Sequence, residues 1–245
     1  MKHLIPFLLA TIVLASCKND TKTRDSQTAK ALPAEKIIAV CIRSGVPIRE
    51  EPHKEGKWIS SMRLGETALY LGETVVDSTD KMREYYKLEL SDGTVQWARS
   101  YGIILNAKPA AVISETSVYL RPELVTKTDK SFKQVEFLVI VNEKAEWVEV
   151  VGSEKRKKGW IKKENLSTEV EDVAIATLAH KEIMDDNGNI LPEKLPDFLN
   201  NIPYRNALLA VYLQQLLDKQ VESAIEESIM DYEEQSVTDE ETEEI

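Results

Sequence analysis

The chain has 245 residues, 42 % apolar and 30 % charged, with a net charge of −11. That acidic balance argues against nucleic acid as a partner, because phosphates would be repelled. Two cysteines rule out a disulfide framework, and the length allows more than one domain. The charge is uneven. Residues 1–109 carry 16 basic and 13 acidic side chains, whereas residues 169–245 carry 4 and 20.

The amino terminus reads as an address. Met1-Lys2-His3 is weakly basic, residues 4–14 are apolar apart from Pro6 and Thr11, and small Ala15 and Ser16 precede Cys17. This is the layout of a secretory signal. The apolar run is too short to span a membrane, which takes roughly 20 residues. Leu14-Ala15-Ser16-Cys17 resembles the lipobox of bacterial lipoproteins. The resemblance implies a signal peptide over residues 1–16, cleavage before Cys17, and lipidation of Cys17. Each buried methylene adds about 0.8 kcal/mol, so two or more acyl chains give a stable membrane anchor. The expected location is the envelope, facing the periplasm or the cell surface. Residues 17–35 are polar and small, with too little apolar surface to offset ordering entropy, and read as a flexible tether.

Two stretches, 36–106 and 107–168, alternate apolar and polar residues in short runs broken by turn residues, as half-buried strands do. Cys41 lies in one such run, residues 37–42, and reads as a small buried apolar residue rather than a nucleophile. The two stretches share a pattern. The first has Val46-Pro47-Ile48-Arg49, then Tyr85-Tyr86-Lys87-Leu88, Asp92-Gly93 and Trp97. The second has Val118-Tyr119-Leu120-Arg121, then Trp147-Val148-Glu149-Val150 and Gly159-Trp160-Ile161. Matching Arg49 to Arg121 assigns extra residues to the first copy, around residues 74–82.

This pattern resembles the bacterial Src-homology-3-like (SH3-like) domain. That family has an early Arg-x-x-Pro stretch, a central glycine-acid turn at Gly65-Glu66, a Trp-x-x-Val strand and a closing Gly-Trp-Val/Ile. The copies depart from it at Gln96, at Pro122, and at Gln134-Val135-Glu136, which lacks the central glycine. The resemblance implies a mainly β protein with two small SH3-like β-barrels. It also implies a binding role, toward cell-wall peptide or another envelope protein. Trp58, Trp97 and Trp160 are candidate ligand-binding residues, although Trp97, Trp147 and Trp160 fit small cores better. The basic turn 155–158 adds Arg156 and Lys157. It suits an acidic glycan, a lipid headgroup or the chain's own acidic tail, or else is a solvated hairpin tip.

From residue 169 the texture becomes helical and acidic. Residues 171–184 suit a short amphipathic helix with acids in its first turn. Residues 185–189 form a turn; as a calcium loop it would place Ile183 and Lys194 at ligand positions, so a plain turn is expected. A longer helix is expected from Pro203 to about Tyr232. Its stripe is Leu209, Tyr212, Leu213, Leu216 and Leu217, continued by Val221, Ile225 and Ile229. Residues 233–245 are expected to lack fixed structure. This helical segment, 169–232, offers a second function, scaffolding, with the barrels as spacers. No catalytic residue, metal site or cofactor is expected. The three histidines are His3, His53 and His180, and no zinc spacing, phosphate loop or serine elbow occurs. A hydrolase built on carboxylates alone is the remote alternative.

Overall fold

The computed structural model describes the backbone of residues 36–242 apart from Asp186, and the side chains of that stretch except Ser228 and 231–242. The expected signal peptide and tether, Cys17 included, lie outside the described residues. The described chain is mostly β, with a helical region at its carboxyl end.

The first sheet holds β1 (Ile37–Cys41), β2 (Val46–Arg49), β3 (Trp58–Met62), β4 (Thr67–Asp77), β5 (Arg83–Glu89), β6 (Val95–Arg99) and β7 (Ile103–Leu105). The second holds β8 (Lys108–Val112), β9 (Thr116–Tyr119), β10 (Lys127–Phe132), β11 (Phe137–Lys144), β12 (Trp147–Gly152), β13 (Lys158–Lys162) and β14 (Leu166–Ser167). The spatial orders are β3-β2-β6-β5-β4-β1-β7 and β10-β9-β13-β12-β11-β8-β14. Counting each sheet from its own first strand, the two orders are the same.

The registers correspond residue by residue. Tyr85 faces Arg99 and Lys87 faces Trp97 in the first sheet, as Trp147 faces Lys162 and Glu149 faces Trp160 in the second. The early arginines do not correspond. Trp97 pairs with Arg49, but Trp160 pairs with Tyr119. Arg121 is therefore not the counterpart of Arg49: it lies two residues past the end of its strand. The first sheet's extra length is a longer β4–β5 hairpin, paired out to Asp77 and Arg83.

Alternation buries one face of each sheet. Ala39, Cys41, Val46, Ile48, Leu88 and Ala98 are fully buried in the first core. Ala110, Val112, Phe132, Leu138, Val148 and Ile161 are fully buried in the second. The sheets are not independent. A third and larger cluster joins Val40, Ile42 and Leu64 of the first stretch to Ala111, Val135, Phe137 and Val139 of the second, and both to the helices.

The helices are α1 (Val170–Glu182), α2 (Leu195–Asn201) and α3 (Leu208–Thr242). α1 buries Ile175, Ala176 and Ala179, and α3 buries Leu209 and Leu213. Buried Asp172 in the first turn of α1 accepts the Ser167 hydroxyl at 2.6 Å and the Leu209 N–H at 3.0 Å, tying the end of the sheet to the start of α3. The sequence expectation is corrected in three ways. α3 starts at Leu208, after a loop, rather than at Pro203. It runs on to Thr242 rather than ending near Tyr232, so 233–242 are helical; 243–245 lie outside the described residues. A short helix, α2, precedes it, opened by Pro196 in its first turn.

Candidate functional site

A cleft of about 310 Å³ opens where the β1–β2 turn, the β12–β13 connection and the end of α1 meet. Its charged and polar walls are Ser44, Glu136, Glu154, Arg156, Lys157, His180 and Asp185. Lys157 is half-buried. Its ammonium lies 2.6 Å from the Glu136 carboxylate and donates to the Ser131 carbonyl at 3.0 Å. It also stands 4.7 Å from the centre of the Phe132 ring. Glu136 in turn accepts the Lys133 N–H at 3.0 Å, which fixes the turn before β11.

Glu154 crosses to the first sheet. Its N–H donates to the Ile42 carbonyl at 2.8 Å, and its carboxylate pairs with Arg43 at 2.7 Å. Glu154 and Lys155 both have positive φ, 59° and 58°. Left-handed backbone at two successive non-glycine residues costs of order 1–3 kcal/mol each and holds only where surrounding contacts enforce it. The basic turn is therefore a solvated tip anchored at one end. Its Glu154 end is clamped to the β1–β2 turn, Lys157 is engaged in the wall, and Lys155, Arg156 and Lys158 face solvent.

His180 sits on the last turn of α1. Burial, and then the positive field of Arg156, holds its imidazole below the usual range, against the pull of Glu154 and Glu136. It is neutral at neutral pH and offers one donor and one acceptor. Asp185 is held low by hydrogen bonds from Asn189 and Asn187. Those bonds, at 2.7–2.8 Å, close the 185–189 turn on itself. Among the described residues no group of three or more His, Cys, Asp or Glu is placed to hold a metal ion. Cys41 is fully buried, and burial pushes its thiol up to about 11 while the thiol donates to the Arg43 carbonyl at 3.0 Å.

Of the residues singled out from sequence, the cleft brings together Arg156 and Lys157 only. The tryptophans lie elsewhere, on the sheets' outer faces. Trp58 is 60 % exposed on β3, and its indole N–H donates to Ser61 at 3.3 Å. It faces Arg49, which also faces Trp97, so the three form one cross-strand row. Lys87 continues the row and lies 5.6 Å from a Trp97 ring centre. Trp160 holds the equivalent place in the second sheet, beside Tyr119. Trp147 is nearly buried, edge to face with Tyr119 at 4.9 Å. Sequence reasoning missed Glu136, Glu154, His180 and Asp185 as neighbours, because four distant segments supply the cleft and no local periodicity links them.

No family model matches the chain, and no curated protein matches it. Among solved structures, NlpC2 from Trichomonas vaginalis is similar at 10 % identity over 56 % of this chain and 49 % of that one, with a TM-score of 0.25. NlpC1 from the same organism is similar at 9 % identity over 67 % of this chain and 52 % of that one, also at 0.25. The chain spans about half the length of each. Neither score reaches that of a shared fold, and the functional reading rests on the cleft itself.

Proposed function

We propose that this is a lipid-anchored envelope protein, held to the membrane through Cys17, in which two SH3-like barrels and the docked helices form a non-catalytic binding module for cell-wall peptide. The observation that carries the reading is the junctional cleft, whose walls present both signs of charge and a neutral imidazole within 310 Å³. A peptide bearing free amino and carboxyl groups matches such walls by exchange with the Lys157–Glu136 pair, its carboxylate taking Lys157 and its amine Glu136. A non-catalytic role is supported by the thiol of Cys41, which is buried and kept protonated. Co-sedimentation of the detergent-solubilised full chain with purified peptidoglycan tests the reading. Lys157→Ala should weaken retention about tenfold, the size of one lost charge-assisted contact, and Trp160→Phe should leave it unchanged. Retention that ignores Lys157→Ala would overturn the cleft as the site. Membrane attachment surviving Cys17→Ala would remove the anchor.

A second reading, scaffolding through the helical segment, is favoured by α3. Beyond the part of α3 that buries Leu209 and Leu213, Val221 and Ile229 are more than half exposed. Deleting 221–245 should then abolish capture of an envelope partner while leaving peptidoglycan retention intact.

A further inference from the structure

On the outer face of the first sheet three buried polar atoms have no hydrogen-bond partner among the described residues: Arg49 Nε, the Tyr85 hydroxyl and Arg99 Nε. Tyr85 is fully buried even though it lies on the face turned away from the sheet's core. Register brings the three together. Tyr85 stands directly opposite Arg99. Arg49 stands opposite Trp97, one diagonal step from Arg99 on the same face. Opposed and diagonal neighbours lie within roughly 5–8 Å, inside the reach of these long side chains. Arg49 gives one N–H to the Gly56 carbonyl, and Arg99 lies 4.6 Å from the Tyr101 ring centre. Neither guanidinium is paired with a carboxylate among the described residues.

The 50–57 loop reaches Arg49 through the Gly56 carbonyl, and its Lys54 N–H donates to Asp77 of the extended β4–β5 hairpin at 3.2 Å. The hairpin's own acids are already engaged. Asp77 accepts from Thr79 and Lys54, and Asp80 pairs with Arg83. Burial raises the Tyr85 hydroxyl above its ordinary value, against the fields of Arg99 and Arg49, so it remains an O–H donor at neutral pH.

The second sheet is an internal control. Its equivalent positions hold Tyr119, Trp147 and Lys162, which satisfy one another. The rings meet edge to face, Lys162 lies 4.1 Å from the Trp147 ring centre, and Lys162 pairs with Glu146 at 3.2 Å. The same scaffold thus closes this place in one copy. In the other, among the described residues, it leaves two guanidinium Nε–H groups and a hydroxyl without hydrogen-bond partners, an arrangement that is costly unless a ligand completes it.

We infer that Arg49, Tyr85 and Arg99 form a carboxylate-binding site on the first sheet, separate from the junctional cleft. Three donors from two guanidinium groups and a phenol suit a carboxylate. The nearby charges of Asp77 and Asp80 favour a monoanion over a phosphate dianion. Trp97 and Trp58, in the same cross-strand row as Arg49, provide rings for the body that carries the carboxylate.

The probe is acetate, titrated against chloride at fixed ionic strength into the nitrogen-15-labelled full chain in detergent, with the arginine Nε–H resonances as readout. Arg49→Lys and Arg99→Lys assign the two signals. Both signals should move saturably with acetate, Tyr85→Phe should weaken that binding about tenfold, and phosphate should bind more weakly than acetate. Absence of a saturable shift, an equal shift with chloride, tighter binding of phosphate, or indifference to Tyr85→Phe would each overturn the inference. Should Tyr85→Phe fail to fold, the wild-type contrast between acetate and chloride decides alone. Lys157→Ala should leave acetate binding unchanged, so failure of the cleft reading and failure of this site are distinguishable.

Discussion

Gly65 and Val135 hold the same place in the two repeats. Their N–H groups donate to the carbonyls of Cys41 and Val112, each at 2.8 Å, and their φ values are +82° and +74°. The following residues, Glu66 and Glu136, accept from the N–H groups of Arg63 and Lys133. A β-branched residue with positive φ is an outlier, costing of order 1–3 kcal/mol. Val135 offsets that by complete burial, worth roughly 1.5–3 kcal/mol. Val135→Gly should therefore leave stability within about 1 kcal/mol of wild type. Gly65→Val should cost about 3 kcal/mol or more, because a Cβ there would lie 2.6 Å from Thr177 Cγ2. Urea unfolding of both variants measures the asymmetry, and equal losses would contradict it. Cys41 is a second residue-scale case. With its thiol raised to about 11, native protein at pH 8 should resist thiol reagents until it unfolds. Cys41→Ala should cost about 1 kcal/mol. Fast labelling under native conditions would show the thiol accessible.

At the scale of elements, α1 couples charge to stability through His180. Its folded pKa lies below the unfolded value of about 6.5, so the unfolded chain takes up the proton first. Stability should be flat above that pH and fall as the pH drops below it. The groups facing the imidazole are Arg156, Glu154 and Glu136. The carboxylates held low, Asp77, Asp92, Glu143, Glu146 and Asp185, stay ionised over that interval, and their contributions are lost only at more acid pH. His180→Gln should flatten the thermal midpoint between about pH 6.5 and 5; an unchanged slope would place the titrating group elsewhere. α1 and most strands are legible in sequence because each carries its own local pattern, a helical stripe in α1 and, in residues 137–141, a continuous apolar run buried on both faces. Tyr85 with Trp147, and Trp97 with Trp160, are legible as equivalent pairs because each falls in a strand of fixed register. What failed lacks a local signal. α2 spans 7 residues, too few for a periodic stripe. The match of Arg49 to Arg121 failed because an arginine after a short strand-like run is visible in sequence, whereas the register that pairs Trp97 with Arg49 and Trp160 with Tyr119 is not. The cleft and the Arg49–Tyr85–Arg99 patch depend on register and docking, which no stretch of sequence encodes alone.

At the scale of the molecule, the third core decides how the parts behave. Two repeats with separate cores would unfold separately, and a helical appendage would melt first. Instead one cluster takes Val40, Ile42 and Leu64 from one sheet stretch, Ala111, Val135, Phe137 and Val139 from the other, and Ile175, Phe198 and Leu209 from three helices. Gly65 adds a close approach between the first stretch and α1. Removing any contributor therefore exposes apolar surface on all the others, and such mutual burial makes unfolding concerted. The 36–242 body should melt in a single transition, with calorimetric and van't Hoff enthalpies equal. Ile175→Ala, at a fully buried position on α1, should cost about 2–5 kcal/mol. That loss should appear equally in the hydrogen-exchange protection of β4 and of β11, although Ile175 belongs to neither sheet. Two transitions, or a loss confined to the second sheet, would mean that the repeats fold as separate units and that the junctional cleft between them is not a fixed feature of the native state.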